Sequence, residues 1–354
     1  MAGERIGIGF IGAGGIAKQR HLPGLQRVAG VEFVTVANRH RETAEQVARE
    51  WGFQSVKDDW QQVLADPAVD AVFIATPPYL HKEATLAALK AGKHVFCQAR
   101  MAMNYADAKE MYDASTQTKL RTMLCPPPHA MAADNVMKRL VKEGFIGRPL
   151  EVHVYGINNS FADGAAPLHW RGDADVNGIN VYLLGMFVEV IHRWLGFNRR
   201  VQAITKVHYP LRPRAGTNES VAVKLPESAV VAAEMENGAL ASYHLSGVSH
   251  HPQPHRAAIH GSEGTLIVDM TANAGNIRGA RKGEELKEIP VPPEERREWL
   301  AEAEFVRAIR EGGPVTPDFF EGLKYMEFTQ AVLDSSAQGK AIELPLDRVA
   351  VGAR

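Results

Sequence analysis

Gly12-Ala13-Gly14-Gly15-Ile16-Ala17 has the G-x-G-x-x-A spacing of a dinucleotide-binding turn. Each position has a physical reason. Gly12 permits a tight turn, Gly14 lets the backbone approach a pyrophosphate, and Ala17 lets a following helix pack close to the preceding strand. Gly15 and Ile16 open that helix, whose N-terminal N–H groups and positive dipole end suit phosphate oxygens. A second apolar run ends at Ala37-Asn38-Arg39. A carboxylate is expected there when the adenosine ribose carries a free 2′-hydroxyl. Asn38 brings no negative charge, and the Arg39 guanidinium can pair with a 2′-phosphate. The pattern points to NAD(P), leaning to NADP. The plainer alternatives are a glycine-rich turn with no ligand, and a solvent-facing Arg39 with NAD held in another way.

The glycine motif has meaning only if a strand precedes it and a helix follows. Arg5–Ile11 reads as a buried strand and Glu32–Ala37 as the next one. Arg41–Trp51 has helical spacing, and Asp58–Ala65 starts another helix. Val69–Ala75 is an apolar strand broken by Thr76-Pro77-Pro78. His81–Ala91 is a helix, Lys93–Cys97 a strand, Ala106–Thr116 a helix and Arg121–Leu124 a strand. Repeated alternation of this kind predicts a doubly wound parallel sheet covered on both faces. Ligands then lie beyond the carboxyl ends of the strands. Those ends are Gly12–Ala17, Asn38–Arg39, Thr76–His81 and Gln98–Arg100.

Composition narrows the class. The chain has 354 residues, 45% hydrophobic and 23% charged, enough for about two domains. Forty basic residues against 41 acidic leave a net charge of −1. That excludes a broad electrostatic footprint for nucleic acid and gives no support for an anionic membrane surface. The longest continuous apolar stretch, Val181–Val188, is far short of the ~20 residues of a membrane span. Ile6–Ala17 is too rich in glycine for a signal-peptide core. Two cysteines, Cys97 and Cys125, cannot make a disulfide framework and suit a reducing, cytoplasmic setting.

Five stretches, in order along nearly the whole chain, resemble the glucose-fructose oxidoreductase / inositol dehydrogenase (Gfo/Idh/MocA) family. They are GFIGAGGIA at Gly9–Ala17, VFIATPPYLHKEATLAALKAGKHVFC at Val72–Cys97, EGFIGRPLEV at Glu143–Val152, IHGSEGTLIVD at Ile259–Asp269 and GLKYMEFTQAVLDSSAQGKAIELP at Gly322–Pro345. The resemblance implies a Rossmann domain over 1–125. It implies a C-terminal α/β domain over 126–354, built on a large, mainly antiparallel sheet, with a helix about 320–338 packing back on the first domain. It further implies oxidation or reduction of a sugar-like CH–OH group by homodimers or homotetramers. Thr76, Pro77 and His81 would lie near the nicotinamide.

Two departures stand out. The family's strand-end motif E-K-P reads Gln98-Ala99-Arg100, and its D-x-G-x-H helix reads Leu183-Leu184-Gly185-Met186-Phe187. Ala99 and Phe187 stand where the family keeps its lysine and histidine, and neither can move a proton. Gln98 can still hydrogen-bond cofactor or substrate. Arg100 either binds a carboxylate or carbonyl, or sits in a loop ion pair; it is a poor base in either case. Asn180 is the polar group nearest the helix face of Leu183 and Phe187, suited to orienting a hydroxyl. Glu189 falls on another face and is spaced to pair with Arg193. In the loop before this helix, His169 titrates in the right range for acid/base work. Trp170 can stack on a sugar face and Arg171 can bind an acid group; the plainer alternative for all three is loop packing. His129 replaces an Asn–Arg-type turn of the family and points to a different substrate pocket. His250, His251, His255 and His260 do not make a convincing metal site, because His255 and His260 would leave a strand on opposite faces.

The preferred expectation is an NAD(P)-dependent oxidoreductase with a non-standard acid/base, His169 first. The rivals are a lyase, hydratase or glycosidase that uses the cofactor with no net redox change, and a non-catalytic NAD(P)- or sugar-binding protein. Fold analogy does not choose among them.

Overall fold

The computed structural model describes residues 5–126, 131–217, 219–271 and 275–347. The chain divides into two compact units, Met1–Pro126 with Trp299–Leu323, and Pro127–Glu298 with Lys324–Arg354.

The first unit carries a six-stranded parallel sheet. Its strands are β1 (Ile6–Ile11), β2 (Val31–Ala37), β3 (Ser55–Val56), β4 (Ala71–Ile74), β5 (His94–Cys97) and β6 (Thr122–Leu124), in spatial order 3-2-1-4-5-6. Strands covered on both faces are continuous apolar runs; every residue of β1 and of β4 is buried. The helices between them are α1 (Leu22–Gln26), α2 (Arg41–Trp51), α3 (Trp60–Ala65), α4 (His81–Lys90) and α5 (Tyr105–Thr116). Their ends are chemically marked. Asp59 and Asn104 side chains accept from the N–H of Gln62 and Asp107, and Gly52 in the left-handed conformation (φ 77°) closes α2.

The boundary expected at 125 holds only for the first pass of the chain. Phe10, Phe73 and Phe96 stack at 5.1 and 4.6 Å between ring centroids. Phe305, from the helix Ala301–Glu311, meets Phe73 and Phe96 edge-on at 5.7 and 5.6 Å. Ala301, Phe305 and Val306 are buried in this same core. The segment assigned by sequence wholly to the second domain therefore completes the first. Its apolar side chains fill the face that the strands leave open.

The second unit holds a nine-stranded sheet. It comprises β7 (Pro149–Ile157), β8 (Asn198–Lys206), β11 (Ser228–Met235), β12 (Leu240–Ser246), β13 (Arg256–Gly261), β14 (Gly264–Asp269), β15 (Ile277–Arg281), β16 (Lys287–Ile289) and β17 (Ile342–Glu343). A separate hairpin pairs β9 (Leu211–Pro213) with β10 (Ser220–Ala222). Neighbouring strands of the large sheet are antiparallel except β12 against β7. Buried and exposed residues alternate along β11 and β12, as in a sheet covered on one face. The helices of this unit include α6 (Asp134–Lys142), α7 (Ala174–Asn177) and α8 (Leu184–Leu195). Past the short pairing with β17, the edge of β8 is covered by the helix Phe319–Gln338: Ser335 and Ser336 hydroxyls accept from the N–H of Ala203 and Thr205.

Candidate active site

The glycine turn has the required shape. Gly12 has φ +84°, its N–H donates to the Ala37 carbonyl at 2.8 Å, and a Cβ on it would lie 2.5 Å from Thr76 Cγ2. Only glycine fits there. A Cβ on Gly14 or Gly15 would meet nothing within 4 Å, so both border open space. Ala17 is fully buried, and Ile16 is half-buried beside it. Thr76 adds a buried hydroxyl with no hydrogen-bond partner among the described residues, next to Gly12, and Pro77 follows in extended conformation. This cradle fits a nicotinamide dinucleotide.

Asn38 and Arg39 divide the work at the end of β2. The Asn38 Oδ1 accepts from the Ala13 N–H at 2.7 Å, and its Nδ2 donates to Thr43 Oγ1 at 3.1 Å. Asn38 is thus a brace of the glycine turn. Arg39 is exposed and makes no ion pair among the described residues.

His81, expected beside the cofactor, is held by backbone next to Thr76. The ring is wholly buried, Nε2 lies 2.7 Å from the Thr76 carbonyl, and Nδ1 lies 3.1 Å from the carbonyls of Arg100 and Met101. Burial pushes its pKa down. Both nitrogens face backbone carbonyls, and the one that carries the proton donates to backbone, so His81 sits between the ends of β4 and β5 with its ring turned away from solvent. Arg100 is only 8% exposed.

Gln98 belongs to a buried polar chain with no sequence signal. Its Oε1 lies 2.8 Å from His21 Nε2, and His21 Nδ1 lies 2.6 Å from Glu302 Oε1, which also accepts from Trp299 Nε1 at 3.0 Å. Burial pushes the Cys125 thiol well up, with Glu302 adding to the rise and a hydrogen bond from Gln98 opposing it. Gln98 is therefore anchored at its carboxamide and partly exposed. Cys97 and Cys125 are free thiols.

In the second unit, His169, Trp170 and Arg171 come together on a short 3-10 turn. His169 Nδ1 accepts from the Arg171 N–H at 3.2 Å, the His169 and Trp170 rings lie 5.7 Å apart, and the Arg171 guanidinium sits 4.4 Å from the Trp170 ring centroid. With Nδ1 an acceptor, the proton of neutral His169 resides on Nε2. His169 and Arg171 are exposed, and Arg171 has no acid partner among the described residues. Burial first, then the Arg171 charge, hold His169 below its ordinary pKa.

Asn180 sits at the entry to α8. It is 1% exposed, and its Nδ2 donates to the Asn177 carbonyl at 2.6 Å while Asn177 donates to its carbonyl. The amide closes the turn into α8. His129 lies outside the described residues. Phe187 is 1% exposed, so closely laid on Gly156 that a Cβ there would come within 2.5 Å of its ring, and it meets His255 edge-on at 5.5 Å. His260 stands by His153 instead. Among the described residues no group of three metal-ligating side chains is gathered. Glu189 is buried and pairs with Arg193 at 3.6 Å, as the spacing suggested. Arg193 in turn reaches Asp134, which also binds Arg297 and Trp194. Burial alone would raise Asp134, but Arg193, Arg297 and Lys138 hold its carboxyl below the ordinary value.

A sheet of order 3-2-1-4-5-6 with a glycine cradle at its first turn defines the class: a dinucleotide-binding oxidoreductase domain joined to an α/β partner. The chain belongs to the Gfo/Idh/MocA family. Its NAD-binding Rossmann domain matches residues 6–124, and the family's C-terminal domain matches 135–267. It is 27% identical over 346 residues to a levoglucosan dehydrogenase of Pseudarthrobacter phenanthrenivorans, covering 88% of this chain and 89% of that one. It is 28% identical over 342 residues to a 1,5-anhydro-D-fructose reductase of Ensifer adhaerens, covering 95% and 98%. A levoglucosan dehydrogenase solved with NADH and L-sorbose superposes with a TM-score of 0.84 at 24% identity, over 96% of this chain and 99% of that one.

Proposed function

We propose that this NAD-dependent oxidoreductase interconverts a CH–OH group and a carbonyl on a sugar or sugar-like polyol, with His169 handling the hydroxyl proton. The nicotinamide, when bound, takes or gives the hydride. Gly12–Ala17 and Thr76 would hold its dinucleotide. On oxidation His169, with its proton moved to Nδ1 and the Arg171 N–H released, takes the hydroxyl proton on the Nε2 lone pair, and on reduction the imidazolium so formed returns that proton to the alkoxide. Trp170 offers an indole face to the apolar side of a sugar ring. Arg171, with no acid partner among the described residues, hydrogen-bonds the sugar oxygens or an acidic substituent. The observation that carries this reading is the exposed His169 imidazole on one turn with the Trp170 ring and the Arg171 guanidinium.

The exposed Arg39 and uncharged Asn38 favour NADP. Ile204, Val230 and Leu240, 76%, 54% and 60% exposed on the uncovered face of the nine-stranded sheet, support a homodimer or homotetramer joined through that face. The free, buried thiols suit a cytoplasmic setting. The test is nicotinamide absorbance during turnover of levoglucosan, L-sorbose and 1,5-anhydro-D-fructose with NAD(H) and NADP(H). Reduction or oxidation of free cofactor in step with product supports the proposal. Product formation with bound cofactor and no net change in absorbance replaces it with the non-redox reading.

A further inference from the structure

The loop 158–173 must satisfy its own backbone, because it leaves the sheet after β7. Its entry is tied by main chain: Asn158 donates to Ser246 O at 2.8 Å and Phe161 to Gly247 O at 2.7 Å. From Phe161 onward one side chain reaches several of the loop's carbonyls. Arg212, on β9 and 3% exposed, donates from Nη2 to the Phe161 carbonyl at 2.7 Å, and from Nη1 to those of Asp163 at 2.7 Å and Ala166 at 3.4 Å. Nη2 and Nε also reach Glu227 Oε1, at 2.7 and 3.3 Å. The guanidinium lies 5.0 Å from the Tyr209 ring centroid, and the Tyr209 hydroxyl donates to the Ala162 carbonyl at 2.9 Å.

Glu227 is equally engaged. It is 3% exposed, and its Oε2 accepts from the N–H of His208 and Tyr209 at 2.8 and 2.9 Å. A buried ion pair is tolerable when its remaining donors and acceptors are met, and here they are. Leu168 then donates to the Pro213 carbonyl, one residue past Arg212, at 2.8 Å. The next three residues are His169, Trp170 and Arg171.

We infer that Arg212, held by Glu227, is the positioning residue for the His169–Trp170–Arg171 face; the inference rests on the substrate role proposed for those three. A planar fork reaches three carbonyls and a carboxylate at once. A lysine ammonium is a point charge and cannot span them. Loss of the fork releases the carbonyls of 161–166 and lets the following turn drift. A displacement of about 1 Å can cost on the order of 100-fold in rate.

The test compares wild type, Arg212→Lys and the milder Glu227→Gln. Amide hydrogen exchange over 161–171 is measured with the Kd for NADH and the KM and kcat for the best substrate of the sugar panel. Expected are faster exchange confined to 161–171, a KM raised roughly tenfold or more, and an unchanged Kd for NADH. A merely stabilising pair would lower Tm and leave KM in place. Unchanged exchange in both variants overturns the clamp, and raised exchange with an unchanged KM overturns its link to substrate. If wild type turns over no sugar, the proposed function fails, while the clamp is decided by exchange alone.

Discussion

Gly14→Val separates the two duties of the glycine turn. A Cβ at Gly14 meets no atom within 4 Å, so valine enters open space and the fold is expected to keep its stability. The same branched side chain takes the volume that a pyrophosphate would need. Hydrogen bonds to charged groups contribute about 1.5–3 kcal/mol each. Losing one or two at the turn weakens NADH by roughly 10–1,000-fold or more. Gly12→Ala is the counterpart. Its Cβ would lie 2.5 Å from Thr76 Cγ2 and 3.1 Å from the Thr76 nitrogen, at φ +84°. The left-handed backbone alone costs about 1–2 kcal/mol, with the clash in addition. Calorimetric titration with NADH beside thermal unfolding reads both effects. Gly14→Val should lose binding with Tm unchanged, and Gly12→Ala should lose Tm. A Gly14→Val protein that binds NADH as tightly as wild type would refute the assignment of the cradle.

Asn38→Asp with Arg39→Ala keeps an acceptor for the Ala13 N–H while reversing the local charge; NADPH affinity should fall about tenfold or more, with NADH little changed. Equal NADH and NADPH affinities before and after would end the case for NADP. His169→Asn should lower kcat by ~10²–10⁴-fold, whereas Glu189→Gln, which breaks a buried pair with Arg193, should lower Tm and spare kcat. The reverse pattern would move the acid/base onto α8. His192 is buried and its pKa is pushed down to about 3, by burial and then by Lys324, from an ordinary 6.5. Between those values the unfolded chain binds a proton that the native chain refuses, so stability falls as pH falls. Going from pH 7.5 to 5 should cost about 2 kcal/mol, and His192→Gln should flatten that slope in chemical denaturation.

The Rossmann sheet was legible because strands buried on both faces leave unbroken apolar runs, such as Ala71–Ile74, and because Gly12 marks a turn that a side chain cannot make. The Glu189–Arg193 pair followed from helical spacing. The bonding of His81 and Asn180 was hidden for a common reason. Each is a polar residue near a strand or helix end, and nothing in the sequence says whether its polar atoms turn outward or close onto backbone. Both close onto backbone. Arg212 and Glu227 are 15 residues apart and join a loop that starts some 50 residues earlier. That partnership has no local pattern to betray it. The hidden brace at Asn38 is of the same kind: its charge was readable, its bond to Ala13 was not.

The Phe305 plug also bears on synthesis. The ribosome finishes β6 at Leu124 but does not reach Ala301–Glu311 for almost two hundred residues more. At about 5–20 residues per second that is an interval of roughly 10–40 s. Through it the stacked faces of Phe73 and Phe96 lack their edge-on partner. The nucleotide-binding half is thus begun first and sealed last. During that interval its exposed aromatic face is a natural client for a chaperone, and a release of the chain at Pro126 would leave that face permanently open.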